Sequence, residues 1–247
     1  MPPFPLSALI FLFGLVLGSF GNVLIHRLPE GKSIGGRSMC PKCGRTLQML
    51  DLIPVVSFLF LRARCRMCKN AISWQYPLVE LISGMIFLYA LHHEFPSIGL
   101  SILLGVSFWL LLLIAVTDAK TSMIPDALTI PFILLSVLFS TLKGSPFLLP
   151  AIIGGGFFGL QWLLNRGKWV GSGDIILAIG IGAFLGNIPL LLLSLWIAYV
   201  LGAFFAVILL LQKQKALTSR LAFGPFLIVG AVVAFGWGQK ILGFLFP

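Results

Sequence analysis

The sequence predicts an all-α polytopic membrane protein of about eight transmembrane helices, with one long polar loop between helices one and two. Three observations predict it. Of the 247 residues, 59% are hydrophobic and only 10% are charged. Mean hydropathy is +1.07. The charges cluster between long uncharged runs, and a soluble domain of this length cannot hide that much apolar surface. The net charge of +10 is spread between those runs and builds no basic domain. Nucleic acid is therefore excluded as a partner, and the lipid bilayer is the partner the composition points to.

A span needs roughly 20 apolar residues. Residues 1–25 are uncharged and give helix one. No Lys or Arg precedes this run and Arg27 follows it, so it reads as a retained helix with its N-terminus outside rather than a cleaved signal. Residues 77–91 give a short helix two carrying Glu80, and 95–117 give helix three. Helices four and five are expected at 127–142 and 144–165. The uncharged stretch 175–212 is long enough for helices six and seven, with Gly186-Asn187-Ile188-Pro189 as the natural break. Residues 221–239 give helix eight. The small-residue pairs Gly155/Gly159 and Gly182/Gly186 predict close helix contacts.

With the N-terminus outside, the connections 26–76, 118–126, 165–174 and 212–220 face the cytoplasm. They hold every Lys and Arg except Lys143 and Lys240, as the positive-inside rule requires. Three regions follow: helix one at 1–25, a cytoplasmic module at 26–76, and a transmembrane core at 77–247.

All four cysteines lie in that module. Cys40-Pro41-Lys42-Cys43 is followed, after 21 residues, by Cys65-Arg66-Met67-Cys68. Each CxxC turn presents two sulfurs to one metal, and two turns complete a tetrahedron, so the loop reads as a structural four-cysteine zinc site. Lys42, Arg45, Arg64, Arg66 and Lys69 would offset its surplus negative charge. Two disulfides are the alternative, which a reducing cytoplasmic location disfavours.

The chain has only seven acids. Glu30 and Asp51 read as solvated partners of basic residues, and Glu94 as an exposed residue in an external turn. Asp118 and Asp174 differ, because the topology places both at the same membrane face. Carboxylates at that depth are costly and tend to be functional. A pair sharing one proton can activate a water and hydrogen-bond a scissile carbonyl. Gly171 and Gly173 would let backbone and substrate approach Asp174. The plainer readings are a helix N-cap for Asp174 and a helix-dipole partner for Asp126. Ion transport and a catalytically inert scaffold compete with protease chemistry at this level.

The motif series resembles the prepilin peptidases, the type IV leader peptidase family of GxGD-type membrane aspartyl proteases. It runs Gly18-Ser19-Phe20-Gly21-Asn22 through His26-Arg27-Leu28-Pro29, then the CxxC pairs, Asp51-Leu52-Ile53-Pro54, and Tyr76-Pro77-Leu78-Val79-Glu80-Leu81. Asp118 with Ile124-Pro125-Asp126, then Gly171-Ser172-Gly173-Asp174, and Ala222-Phe223-Gly224-Pro225-Phe226 complete it. The resemblance implies a multi-pass enzyme of the bacterial inner membrane that removes the short basic leader of type IV prepilins or pseudopilins at the cytoplasmic face. It makes Asp118 and Asp174 catalytic, with Gly171, Gly173 and Asp126 in support. It also implies N-methylation of the new N-terminus from S-adenosylmethionine, a form with which the cysteine loop and the segment around Glu80 are associated. Lys120, Ile176 and Lys69 depart from the residues usual in the family.

Overall fold

The computed structural model describes residues 2–168, 170–212 and 222–246. The expected connection 212–220 therefore lies, from residue 213 on, outside the described residues. The helices are α1 (Phe4–Arg27), α2 (Val56–Phe60), α3 (Gln75–Glu94), α4 (Ile98–Thr121), α5 (Asp126–Lys143), α6 (Leu148–Asn165), α7 (Ser172–Leu185), α8 (Ile188–Leu211) and α9 (Gly224–Leu245). Six of them, α1, α4, α5, α6, α8 and α9, are long and apolar enough to cross a membrane. The other two expected spans are α3, which carries Glu80 and Glu94, and α7, which has only 14 residues. Among the described residues there is no named strand. The chain divides into two compact units, Met1–Leu113 and Ile114–Pro247, the division falling inside α4.

In the first unit, glycines let α1 lie directly on α3. A Cβ on Gly14 would meet the Gly84 backbone at 2.8 Å, and one on Gly18 would meet the Glu80 Cα at 2.5 Å. Asn22 is buried in α1 and its amide donates to the Tyr76 carbonyl at 3.1 Å, which ties the end of α1 to the start of α3. Glu94 corrects its expected exposure. Helix α3 runs to Glu94, beyond the expected end at residue 91, and the Glu94 side chain is almost wholly buried beside the His93 ring at 2.9 Å.

In the second unit, α7 packs against α5, α6, α8 and α9. Leu177, Ala178 and Ile181 are fully buried. A helix of this length falls short of a ~30 Å hydrocarbon layer, and here neighbouring helices rather than lipid enclose it. Gly171 opens it in extended conformation, and Gly186 closes it at φ 58 with its N–H on the Gly182 carbonyl. Asn187 then caps α8 by accepting from the Leu190 N–H at 3.1 Å. The expected break is thus a C-cap and an N-cap placed back to back.

The glycine pairs behave unequally. Gly182 faces the Pro150 carbonyl and Gly155 faces Ile179, so both serve the α6–α7 contact. Gly159 has open space where a Cβ would go, and Gly186 serves the turn. Gly182→Leu forces α6 and α7 apart and should cost about 1–3 kcal/mol or more. Gly159→Ala should be neutral, or stabilising by up to about 1 kcal/mol. Thermal unfolding in detergent, followed by size-exclusion chromatography, distinguishes the two.

Candidate active site and metal centre

Asp118 sits in the last turn of α4 and is only 4% exposed. The C-terminal end of a helix opposes a negative charge. The compensation comes from α9, where the Gly224 N–H donates to Asp118 Oδ2 at 2.9 Å. That amide belongs to the first turn of α9, where unpaired N–H groups and the helix dipole favour an anion. A Cβ on Gly224 would stand 2.7 Å from the same oxygen, so the contact requires glycine. Phe223, one residue earlier, packs on Tyr199 at 5.1 Å and on Phe158 at 5.9 Å. These rings anchor the start of α9.

Asp174 lies in the first turn of α7 and is half-buried. It is not the N-cap residue. Its Oδ2 reaches back to accept from the N–H of Gly171, the N-cap, at 3.0 Å. Gly173 is small for packing reasons, since a Cβ there would meet Ile124 Cβ at 2.9 Å. The same Ile124 would also meet a Cβ on Gly224, its Cδ1 at 3.4 Å, so the Asp174 and Asp118 ends adjoin around it, and Tyr199 packs there against Phe223. The Tyr199 phenol donates to Gln161 Oε1 at 3.0 Å.

The structure therefore brings together Asp118, Asp174, Gly171 and Gly173. Asp126 is an exposed residue opening α5, where its charge suits the helix dipole. Sequence reasoning missed Tyr199, and it gave Gly224 only as part of a family motif. An amide donor leaves no side-chain signature, so only Gly224's small size hinted at a close approach.

The four cysteines form the second centre. Their sulfurs all lie within 4.8 Å of one another, with Cys40 and Cys68 at 3.9 Å. A tetrahedral ion bound at ~2.3 Å needs sulfurs about 3.8 Å apart, so the four fit one metal ion. Each CxxC folds the same way. The Cys40 N–H donates to the Arg45 carbonyl and Gly44 N–H to Cys40; Cys65 N–H donates to Asn70 and Lys69 N–H to Cys65. The position after the second cysteine is left-handed in both turns, at φ 67 for Gly44 and φ 55 for Lys69.

Backbone N–H groups of Cys43 and Lys42 hold the Cys40 thiol down to about 7. Those of Cys68 and Met67 lower Cys65. At Cys68 the Asn70 N–H favours the thiolate, but burial and the three neighbouring sulfurs outweigh it and push the thiol up to about 11. Four sulfurs this close cannot all ionise without a cation. Asp51 helps fix the loop: it pairs with Arg66 at 2.8 Å and accepts from the Gln48 N–H.

Glu80 holds the loop within the first unit. Its Oε2 accepts from the Val55 N–H at 2.7 Å. Val55 itself is held at φ 61, a conformation unusual for a β-branched residue.

Two family models match. Residues 12–94 match the bacterial Peptidase A24 N-terminal domain, and 105–207 match the type IV leader peptidase family. Curated relatives carry the name prepilin leader peptidase/N-methyltransferase. One from Aeromonas salmonicida is 33% identical over 97% of this chain and 93% of its own length. One from Bacillus subtilis is 35% identical over 96% of each. One from Klebsiella pneumoniae is 38% identical over 74% of this chain and 87% of its own. No solved structure matches.

Purified protein should carry close to one metal ion per chain by plasma mass spectrometry, and Cys40→Ser or Cys65→Ser should lose it. The low-lying Cys40 thiolate is present above about 7 and is lost as pH falls through that value, so protons then compete with the metal. A chelator should strip the ion faster below neutral pH than above it. Retention independent of pH would count against thiolate ligation.

Proposed function

The chain belongs to the type IV leader peptidase family, and from that membership we propose a membrane endopeptidase that removes the short basic leader of type IV prepilins or pseudopilins with Asp118 and Asp174. The observation that carries the assignment of residues is the pairing of these two carboxylates, each held by a glycine amide. One carboxylate takes a proton from a water molecule, which attacks the scissile carbonyl. The other, protonated, donates to the carbonyl oxygen as the tetrahedral intermediate forms. The proton taken from water then passes to the leaving amine, and the pair ends with the single proton it began with. Gly224 and Gly171 keep the carboxylates oriented through this exchange.

The distribution of basic residues supports an inner-membrane orientation with the N-terminus outside and the dyad at the cytoplasmic face. Cleavage there falls just before the substrate's hydrophobic segment. The ion held by Cys40, Cys43, Cys65 and Cys68 is zinc in this reading. With all four positions filled by sulfur the site is closed and structural, and it firms a loop too poor in apolar residues to fold well alone.

N-methylation of the freed terminus completes the function, with S-adenosylmethionine supplying the methyl group when bound. Glu80, associated with this form by resemblance, contributes through the loop it holds at Val55.

Cleavage of a prepilin in liposomes, read by mass spectrometry, tests the dyad. Asp118→Asn and Asp174→Asn should each lose about 10²-fold or more in rate while eluting as folded protein. Either mutant cutting at the wild-type rate would refute the two-aspartate mechanism. Gly224→Ala should lower kcat roughly 10- to 100-fold with KM little changed, the loss of one charge-assisted hydrogen bond. A mature product heavier by one methylene, absent when the methyl donor is withheld, identifies the second activity.

A further inference from the structure

The segment Met49–Phe60 carries large apolar side chains that nothing among the described residues covers. Met49 is 86% exposed, Leu59 64% and Phe60 84%. They lie in a 3-10 turn, Met49–Leu52, and in α2. In a loop surrounded by water such a cluster is unfavourable.

Its depth explains it. The Val55 N–H is bonded to Glu80, which lies about 8 Å along α3 from Gln75. Glu80 packs against Gly18 of α1. Gly18 in turn lies about 10 Å inside the point where the apolar run of α1 ends, at Ile25. The start of α2 is thus held beside membrane-spanning residues rather than above them. Phe58 adds a second tether, its ring 4.9 Å from that of Trp74 at the foot of α3.

Lipid demands that backbone groups be satisfied internally. Here the N–H groups of Val55, Ser57, Leu59, Leu61 and Ala63 all have acceptors within the protein. Left-handed residues Arg62 and Ala63 then turn the chain back toward the cysteines, and Arg62 and Arg64 are exposed beside the apolar cluster. An apolar tip with a basic shoulder matches the boundary between acyl chains and anionic headgroups.

We propose that Met49–Phe60 dips into the bilayer as an interfacial segment, with Leu59 and Phe60 among the acyl chains and Arg62 and Arg64 on anionic lipid headgroups. The metal centre is thereby held against the membrane surface by its own loop as well as by the two helices that flank it.

The test uses the full chain in nanodiscs of phosphatidylethanolamine and phosphatidylglycerol, with Phe60→p-benzoylphenylalanine and, as control, Ile34→p-benzoylphenylalanine. Ile34 is exposed in the loop whose carbonyls bind the Arg27 guanidinium at the end of α1. After irradiation, position 60 should give about tenfold more lipid adducts than position 34, enriched in phosphatidylglycerol. Arg62→Gln with Arg64→Gln should remove the enrichment and leave the adducts. Equal labelling at both positions, or adducts at 60 with an added prepilin or a second copy of the chain, would overturn the proposal. Adducts without enrichment in wild type would overturn the headgroup contact.

Discussion

A buried carboxylate at the C-terminal end of a helix is opposed by that helix, and the candidate site depends on how this is offset. Asp118 is kept in place by the N–H of Gly224, which comes from a different helix far along the chain. The placement of α9 follows from this constraint. Its first residue must be glycine, its preceding Phe223 must be wedged between Tyr199 and Phe158, and its length must be buried against α8. Asp174 sits at the favourable N-terminal end of its own helix and is held locally, by the N–H of the N-cap Gly171. One carboxylate is thus held by a long-range amide against its helix dipole, and the other by a short-range amide in accord with its own.

Much of this was legible in the sequence. Uncharged runs locate the long helices within a few residues, because a bilayer leaves little freedom in the length of a span. The break at Gly186-Asn187 was visible because caps have side-chain signatures. Asp118 and Asp174 stood out because carboxylates are rare in such a chain. Less was legible wherever backbone does the binding. Gly224, Gly171 and Val55 act through N–H groups, which every residue but proline carries. Glu94 was misread because the end of the apolar run at residue 91 was taken as the end of the helix. Gly159 was misread because small-residue spacing does not say which face of a helix meets a neighbour.

The cysteine module illustrates a related point. Its two turns have the same hydrogen bonds although their sequences differ at both positions between the sulfurs. Gly44 takes the left-handed position without cost, whereas Lys69 takes it against its own preference. What is shared is the ring of N–H groups around each leading sulfur, and that ring prepares Cys40 and Cys65 to be thiolates.

The shortness of α7 bears on how the protein is made. A 14-residue helix is a poor candidate for insertion by itself, since its ends would pull polar backbone toward the hydrocarbon. It gains its full environment only when α8 and α9 have followed it out of the ribosome and joined α5 and α6. Asp174 rides on that helix and Asp118 waits for the amide of Gly224. The proposed catalytic pair is thus among the last features to form during biosynthesis, and a truncated or half-inserted chain lacks the assembled pair.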